Sequence, residues 1–244
     1  MVYSSKQNPL IKEIASLKEK KHRLKLGLYL AEGIKMVNEA IVNDLPIKYI
    51  VATNEALKEI KPNNAEVLIV TNEVFSYISE EMTPQGAMAV IKIENLGLKA
   101  PTSNALILDG VSNPGNMGTI IRTANAFGFK DVYLINCVDV YNGKTIRASM
   151  SGIFFVNLYK TEYSEIKDLF KGYKIVVADM SGESLDNFSV NGNVAIVVGN
   201  EGNGVSKQML EMADSVVSIP MEDTSESLNV AVACSIMMYK LRKM

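Results

Sequence analysis

The second half of the chain repeats one pattern, a short run of apolar residues followed by a segment with helical spacing. The apolar runs lie at residues 105–108, 132–135, 174–178 and 194–198. Short, uninterrupted apolar runs that alternate with helices are typical of parallel strands buried on both faces. The pattern therefore predicts an α/β domain with a parallel sheet over residues 104–244. Ligands of such sheets bind in loops at the carboxyl ends of the strands.

The region before this domain mixes helical and strand patterns. Residues 29–41 carry apolar side chains at intervals of three and four, which predicts one amphipathic helix. Strands are expected at the β-rich runs 47–52, 66–70 and 86–93. Residues 95–103 contain Gly, Pro and Ser, so we expect a linker there. A smaller α/β domain at residues 1–94 is thus predicted to precede the larger domain at 104–244.

Composition narrows the possible locations and chemistries. No apolar run reaches the roughly 18–20 residues of a membrane span, and the N-terminus lacks a charged-then-apolar signal layout, so a cytoplasmic location is expected. Cys137 and Cys234 are the only cysteines and His22 is the only histidine. They are too scattered for a CxxC-type zinc site. We therefore expect no metal, and an active site without histidine.

Positive charge is concentrated at the N-terminus although the formal net charge of the chain is −2. Residues 1–26 hold seven lysines and arginines against two glutamates. Lys20, Lys21 and Arg23 form the densest group and are candidates for contact with phosphate. Charge alone fits a solvated helix face equally well.

Three polar segments follow predicted strands of the larger domain. The first, at residues 109–124, places the turn-forming Asn113, Pro114 and Gly115 before a helix that carries Arg122. The second, at residues 197–205, contains three glycines, and its spacing matches neither a P-loop nor a dinucleotide fingerprint. Either segment could be an ordinary turn into a helix.

The third segment, at residues 219–233, joins a short strand-like run to an apolar helix expected at 228–241. Ser225 or Ser227 could simply cap that helix. Taken singly, each segment is weak evidence for function.

In this order and spacing, the three segments resemble the signature motifs of the SpoU/TrmH family of RNA ribose 2′-O-methyltransferases, within the SPOUT superfamily. One departure is visible, because the family commonly has Asp where this chain has Asn113. Residues 5–12, 30–35 and 83–86 are similar, less specifically, to the substrate-binding domain found on many members. The resemblance implies a C-terminal knotted (trefoil) parallel-sheet methyltransferase domain after a smaller α/β substrate-binding domain. It also implies S-adenosylmethionine as cofactor, RNA as partner and a homodimer formed through the knotted domains.

The resemblance assigns roles to residues of this sequence. The active site would contain Asn116, Arg122, Glu201, Ser227 and Asn229. The cofactor would be held by Gly199, Asn200, Gly204, Ile219, Met221 and Leu228, with main-chain groups around Ile219, Met221 and Leu228 holding the adenosine. Arg147, in a stretch between the first two segments, is a further candidate for contact with RNA.

The implied reaction needs a ribose hydroxyl aligned with the cofactor's methyl group and help in removing one proton. Arg122 is usually assigned the central role, sometimes as the base, but a guanidinium with a pKa above about 12 stays protonated. We therefore expect Arg122 to clamp a phosphate and stabilise the developing alkoxide.

Several readings remain open. The fold could serve a non-catalytic RNA-binding protein, although Asn116, Arg122, Glu201 and Asn229 are all present. Methylation of a base carries little weight, and a class I Rossmann methyltransferase is disfavoured because no Gly-rich loop follows the first strand of either region. Ribosomal RNA of the 23S type is the first expectation for the substrate and transfer RNA the second.

Overall fold

A computed structural model describes residues 2–222 and 224–242. The chain divides into two compact units. The first comprises residues 1–95 together with 141–154, and the second comprises residues 96–140 and 155–244. The segment 141–154 therefore clusters with the first unit, although it lies within the sequence of the second. No helix among the described residues is long and apolar enough to cross a membrane.

The first unit is built around a five-stranded mixed sheet. Its strands are β1 (Val2–Tyr3), β2 (Leu28–Glu32), β3 (Ile47–Ala52), β4 (Glu66–Val70) and β5 (Ala87–Lys92), in the order β1-β4-β3-β5-β2. Its helices are α1 (Pro9–Ser16), α2 (Lys20–Leu26), α3 (Ile34–Val42), α4 (Asn54–Leu57) and α5 (Asn72–Ile78). The predicted strands at 47–52, 66–70 and 86–93 are confirmed.

The single helix predicted for residues 29–41 is wrong in its first part. Leu28–Glu32 forms strand β2, which pairs antiparallel with β5, and the helix begins only at Ile34. Gly33 separates the two elements with φ +113°, a left-handed conformation that glycine adopts at little cost. The apolar residues 28, 30 and 31 fit the two-residue period of a strand as well as the three-to-four-residue spacing of a helix. The pairing with β5 selects the strand.

The second unit contains a six-stranded, entirely parallel sheet in the order β11-β9-β10-β6-β7-β8. Its strands are β6 (Ala105–Asp109), β7 (Asp131–Ile135), β8 (Asn157–Lys160), β9 (Lys174–Ser184), β10 (Val194–Val198) and β11 (Ser215–Ser218). Its helices are α6 (Pro114–Phe127), α8 (Tyr163–Leu169), α9 (Lys207–Leu210) and α10 (Val230–Leu241); the intervening α7 (Gly143–Ser149) clusters with the first unit.

The parallel sheet predicted from the apolar runs is confirmed. Every residue of β6, β7 and β10 is buried, as expected of strands covered on both faces. Asn104 links the start of this sheet to the last helix. Its side chain accepts a hydrogen bond from the Val194 N–H at 3.1 Å and donates to the Leu241 carbonyl at 2.9 Å. This buried amide therefore fixes the end of α10, while the start of the same helix lies in the third polar segment.

Candidate active site

The three polar segments meet at one edge of the second sheet. The first follows β6, the second follows the adjacent β10, and the third follows β11. Because all three strands are parallel, their carboxyl ends lie at the same edge, where ligands bind on sheets of this class. The structure thus brings together three segments that start at residues 109, 197 and 219 and are therefore far apart in sequence.

Glu201 is the centre of a hydrogen-bond network that joins these segments. Its Oε2 accepts hydrogen bonds from the Ser112 N–H at 3.1 Å and from the Ser112 hydroxyl at 2.8 Å. Its Oε1 accepts from the Asn113 N–H at 2.9 Å and from the Asn116 side chain at 3.0 Å. Four donors from the first segment therefore hold one carboxylate of the second.

The network continues from Asn116 to the third segment. Asn229 donates from its Nδ2 to the Oδ1 of Asn116 at 3.0 Å. The carboxylate fixes the direction of these bonds, because an ionised Glu201 can only accept. Asn116 must turn its NH₂ towards Glu201 and its oxygen towards Asn229, so Asn229 must donate. The remaining oxygen of Asn229 then faces the start of α10, where it accepts from the Ala231 N–H at 2.9 Å.

The helix caps agree with this arrangement. Asn113 is the N-cap of α6 and Pro114 is its first residue, as its turn signals indicate. Asn229 is the N-cap of α10. The alternative that Ser225 or Ser227 caps α10 is therefore wrong, because the helix begins at Val230.

Hydrogen bonding also sets the charge of the network. Partial burial alone would raise the pKa of Glu201, but hydrogen bonds from the Asn116 side chain and from backbone N–H groups, including those of Asn113 and Ser112, lower that pKa to about 2. Glu201 is therefore a fixed anion near neutral pH. It accepts hydrogen bonds and has no role as a proton shuttle.

A cavity of about 480 Å³ opens beside this network. It is lined by all six residues that the sequence proposes for the cofactor, Gly199, Asn200, Gly204, Ile219, Met221 and Leu228, and also by Glu201, Ser227 and Asn229. Asn116 is not among the lining residues, but it is hydrogen-bonded to two of the lining side chains, those of Glu201 and Asn229. Ala178, Asp179 and Met180 add a wall that the sequence did not suggest.

The glycine segment is folded tightly on itself. Asn200 and Gly204 exchange two backbone hydrogen bonds, each of 2.9 Å. A Cβ at Gly199 would lie 2.2–2.3 Å from backbone atoms of Gly204 and Val205, so a side chain there would require the backbone to move. The side chain of Asn200 closes the turn, since it donates to the Gly110 carbonyl at 2.9 Å and accepts from the Gly202 N–H at 3.0 Å.

Asp109 is a buried carboxylate that sequence reasoning did not single out. It accepts hydrogen bonds from the Tyr163 hydroxyl and from the Ser206 N–H, both at 2.7 Å. Ser206 caps α9, directly after the glycine segment. Asp109 therefore anchors the far end of the loop that contains Glu201. The sequence does contain a signal for Asp109, namely an acidic residue at the end of an apolar strand.

Arg122 stands apart from the network. It is exposed on α6, and it is not among the described residues that line the cavity. No carboxylate of residues 2–222 and 224–242 forms an ion pair with its guanidinium. Its charge is therefore available to an external anion.

The four proposed RNA contacts, all in the first unit, differ in exposure. Lys20 and Lys21 are exposed, and Lys21 makes a surface ion pair with Glu19 at 3.1 Å. Arg23 is buried, and its Nη1 donates to the Leu17 and Lys18 carbonyls at 2.7 Å. Arg23 therefore has a structural role, and the prediction that it contacts phosphate is wrong.

Arg147 also has partners within the first unit. Its Nε lies 2.6 Å from a carboxylate oxygen of Glu81, and its Nη1 lies 3.7 Å from one of Glu80. A phosphate would have to compete with two carboxylates for this guanidinium. The structure therefore favours a structural role for Arg147 over contact with RNA.

Comparison with known proteins places this geometry in a family. The model of the SpoU rRNA methylase family matches residues 103–239, and that of the MRM3-like substrate-binding domain matches residues 8–89. The chain belongs to the SpoU rRNA methylase family. This confirms the resemblance carried by the three segments, which all lie inside the first match. The N-terminal resemblance to a substrate-binding domain is confirmed as well.

Individual members of the SpoU family match over almost the whole chain. A 23S rRNA (guanosine(2553)-2′-O)-methyltransferase of Bacillus subtilis is 32% identical, and the alignment covers 98% of each chain. A TrmH-family RNA methyltransferase structure from Porphyromonas gingivalis has a TM-score of 0.88 and 31% identity, with 97% of this chain and 98% of that chain covered. An AdoMet-bound rRNA methyltransferase from Sinorhizobium meliloti has a TM-score of 0.88 and 26% identity, with coverage of 98% and 96%.

Proposed function

We propose that this protein transfers a methyl group from S-adenosylmethionine to a ribose 2′-hydroxyl of ribosomal RNA. One observation carries the proposal, the hydrogen-bond network from Glu201 through Asn116 to Asn229 that joins all three family segments beside the cavity. A methyltransferase needs such a fixed constellation, because it must align two reactants within a fraction of an ångström.

The cavity fits S-adenosylmethionine in size and charge. Its volume of about 480 Å³ lies within the range of roughly 300–1,000 Å³ found for small-molecule sites. Its lining contains two carboxylates and, among the described residues, no Lys, Arg or His. A ligand that carries a sulfonium and an ammonium group is suited to such a wall. Gly199, Asn200 and Gly204 would hold it on one side, and Ile219, Met221 and Leu228 on the other.

When bound, S-adenosylmethionine supplies an activated methyl group, and the protein orients the acceptor hydroxyl. Arg122 would bind the neighbouring phosphate and stabilise negative charge on the 2′-oxygen as its proton passes to solvent water. Asn229 and Ser227, on the wall of the cavity, would orient the nucleotide. Asn116 and the anionic Glu201 hold Asn229 in the required direction.

RNA is the substrate class because only RNA has the 2′-hydroxyl. The substrate-binding match at residues 8–89 supports a bulky RNA, and exposed Lys20 and Lys21 offer contacts with its phosphates. The Bacillus subtilis relative acts on guanosine 2553 of 23S rRNA. We propose 23S-type rRNA first and tRNA second, with a cytoplasmic location that follows from either substrate.

We also propose that two copies pair through the second unit and that this unit contains the trefoil knot of the superfamily. Helix α10 supports the pairing, because its residues other than Ser235 and Lys240 are apolar, at outward as well as inward positions. Its inner residues pack in the core, while Val232, Ile236 and Tyr239 remain 48%, 37% and 59% exposed. An exposed apolar strip of this kind is typical of an interface. Sedimentation of the wild type as a dimer and of Ile236→Glu as a monomer would support the proposal; a monomeric wild type would contradict it.

The decisive experiment is transfer of labelled methyl from S-adenosylmethionine to unmodified rRNA and tRNA, with wild type and Arg122→Ala compared. We expect label in 23S rRNA, recovered as a 2′-O-methylnucleotide, and a loss of at least about 100-fold in the variant. Mapping the nucleotide would show whether it corresponds to guanosine 2553. Absence of transfer to either RNA despite cofactor binding would instead point to an unusual substrate or a required partner, and absence of cofactor binding would favour a non-catalytic RNA-binding protein.

A second variant tests the role of Arg122. Lys loses a proton more easily than Arg but cannot form the bidentate fork. If Arg122 is a clamp, Arg122→Lys should remain at least about tenfold slower than wild type at all pH values. Near-full activity of Arg122→Lys would support proton acceptance at this position.

A further inference from the structure

Strand β9 contains a large irregularity beside the cavity. Val216 of β11 pairs with Val177 of β9, but the next residue, Val217, pairs with Glu183. Five residues of β9, 178–182, therefore have no partner in β11 and bulge out of the ladder. We call this segment the β9 bulge. Bulges next to active sites commonly redirect a side chain.

The β9 bulge is closed by specific contacts. A Cβ at Gly182 would lie 2.4–2.5 Å from backbone atoms of Val216 and Val217, so the strands approach there to a distance that only glycine permits. The Ser218 hydroxyl donates to the Gly182 carbonyl at 2.9 Å. Within the bulge, Ser181 donates to Oδ1 of Asp179 from its N–H at 3.0 Å and from its hydroxyl at 2.7 Å. The carboxylate of Asp179 is thereby held in one orientation.

Asp179 presents the open carboxylate of the cavity. Among the described residues of the lining, the acidic ones are Asp179 and Glu201. Glu201 already accepts four hydrogen bonds, whereas Oδ2 of Asp179 accepts none from the described residues. A half-buried, oriented carboxylate with a free oxygen is an acceptor for hydroxyl or ammonium donors of a ligand.

We infer that Asp179 binds the ribose hydroxyls of the cofactor. The inference rests on the proposed function, and it takes the adenine to lie against the segment that follows β11 and the reacting methyl to lie near the network that joins the segments after β10 and β6. Strand β9 lies between β11 and β10 in the sheet, so the β9 bulge faces the middle of the ligand. The ribose is the group that connects adenine to the sulfonium, and its two adjacent hydroxyls are donors that a carboxylate can accept together.

Calorimetric titration of the full-length protein tests this assignment. The ligands are S-adenosylhomocysteine, which is stable, and 5′-deoxy-5′-methylthioadenosine, which keeps the ribose but lacks the amino-acid part. Loss of a charged hydrogen bond predicts that Asp179→Ala weakens both ligands by about 10–100-fold and Asp179→Asn by about 3–10-fold. Ser181→Ala should weaken both by about 2–5-fold, since it removes one of the two bonds that orient Asp179.

Glu183→Gln is the matched control, because it makes the same carboxylate-to-amide change in the same strand at an exposed position outside the cavity. Its affinities should stay within about twofold of wild type. Thermal unfolding without ligand identifies any variant whose fold is damaged, and Asp179→Asn retains the shape of the side chain if Asp179→Ala does not fold.

Each other outcome is informative. Loss of affinity for S-adenosylhomocysteine alone would place the carboxylate against the amino-acid part and overturn the ribose assignment. Wild-type affinity in both Asp179 variants would overturn the inference and leave the proposed function intact. Failure of the wild type to bind either ligand would overturn both.

Discussion

Glu201 combines four hydrogen-bond donors with a negative charge that persists into strong acid. Side chains that accept so many hydrogen bonds in proteins usually hold structure in place, whereas catalytic bases need a pKa near the working pH. With a pKa of about 2, Glu201 belongs to the first kind. Its carboxylate fixes the orientation of Asn116 and, through Asn116, that of Asn229. The carboxylate of Glu201 therefore determines, through two hydrogen bonds in series, which way the Asn229 amide is oriented at the cavity wall.

The pH dependence of stability provides a test of Glu201. A folded-state pKa below the ordinary value of 4.5 contributes stability that is complete above pH 4.5 and is lost as pH falls towards 2. Glu201→Gln should lower the free energy of unfolding at pH 7 by about 1 kcal/mol, a modest value because the residue is exposed. The gap between variant and wild type should narrow between pH 4.5 and 3 in denaturant titrations. A gap that stays constant over this range would contradict the assigned ionisation.

Asn229 caps α10 and also donates a hydrogen bond to Asn116, and a pair of variants can separate these two roles. Asn229→Asp keeps an oxygen for the Ala231 N–H but cannot donate to Asn116, so unfolding free energy should stay within about 0.5 kcal/mol while methyl transfer falls at least about tenfold. Asn229→Ala loses the cap as well and should cost about 1 kcal/mol. Equal activities for Asn229→Asp and wild type would show that the bond to Asn116 is dispensable.

Among the elements, the turn after β10 depends most on the absence of side chains. Gly199→Ala would force a Cβ against backbone atoms that have no room to yield, so we expect a loss of about 1–3 kcal/mol in stability and at least tenfold in affinity for S-adenosylhomocysteine. Gly202→Ala is the control within the same turn, because its Cβ would meet only the Asn200 Oδ1, at 3.7 Å. Its unfolding free energy should match wild type within about 0.5 kcal/mol. Equal effects of the two variants would contradict the packing argument.

Strands, helices and motif positions were largely predictable from local sequence, since buried parallel strands are apolar throughout and the glycine turn is distinctive. Two elements were not. At Tyr29 the apolar spacing fits a helix and a strand, and only pairing with β5 selects the strand. The β9 bulge depends on contact between Gly182 and a strand more than 30 residues later, which no local pattern records.

The candidate site shows the same division. The motifs indicated Glu201, Asn116 and Asn229, but the direction of their hydrogen bonds needed coordinates. Arg23 belonged to a basic cluster by sequence, yet its guanidinium is buried because it satisfies the carbonyls at the end of α1. Charge patterns reveal where basic residues occur and do not reveal which of them already have partners.

At the scale of the whole molecule, the chain passes between its two units three times. It leaves the first unit after residue 95, returns for residues 141–154 and leaves again. Within the first unit the returning segment packs through the Tyr141 ring, 4.8 Å between centroids from that of Tyr29, and through Arg147 with Glu81. The first unit is therefore assembled from two pieces of chain.

A protease site inserted after Gly97 tests this assembly. Cleavage there would cut one of the three passages, and we expect the two fragments to elute together in gel filtration because residues 141–154 remain packed in the first unit. They should separate only in denaturant. Adding Arg147→Glu, which places like charges beside Glu80 and Glu81, should weaken retention. Separation of the unsubstituted fragments in native buffer would show that the returning segment contributes little.

The discontinuous first unit also governs how this protein could be recombined with its relatives. A chimera that exchanges substrate-binding regions would ordinarily be joined once, within residues 95–103. Here a single junction would combine a foreign region with the native segment 141–154. Tyr141 and Arg147 would then face side chains other than Tyr29 and Glu81, which they contact in this chain. Exchange of the whole first unit therefore requires three junctions, so that the segment between β7 and β8 is replaced together with the region that it completes.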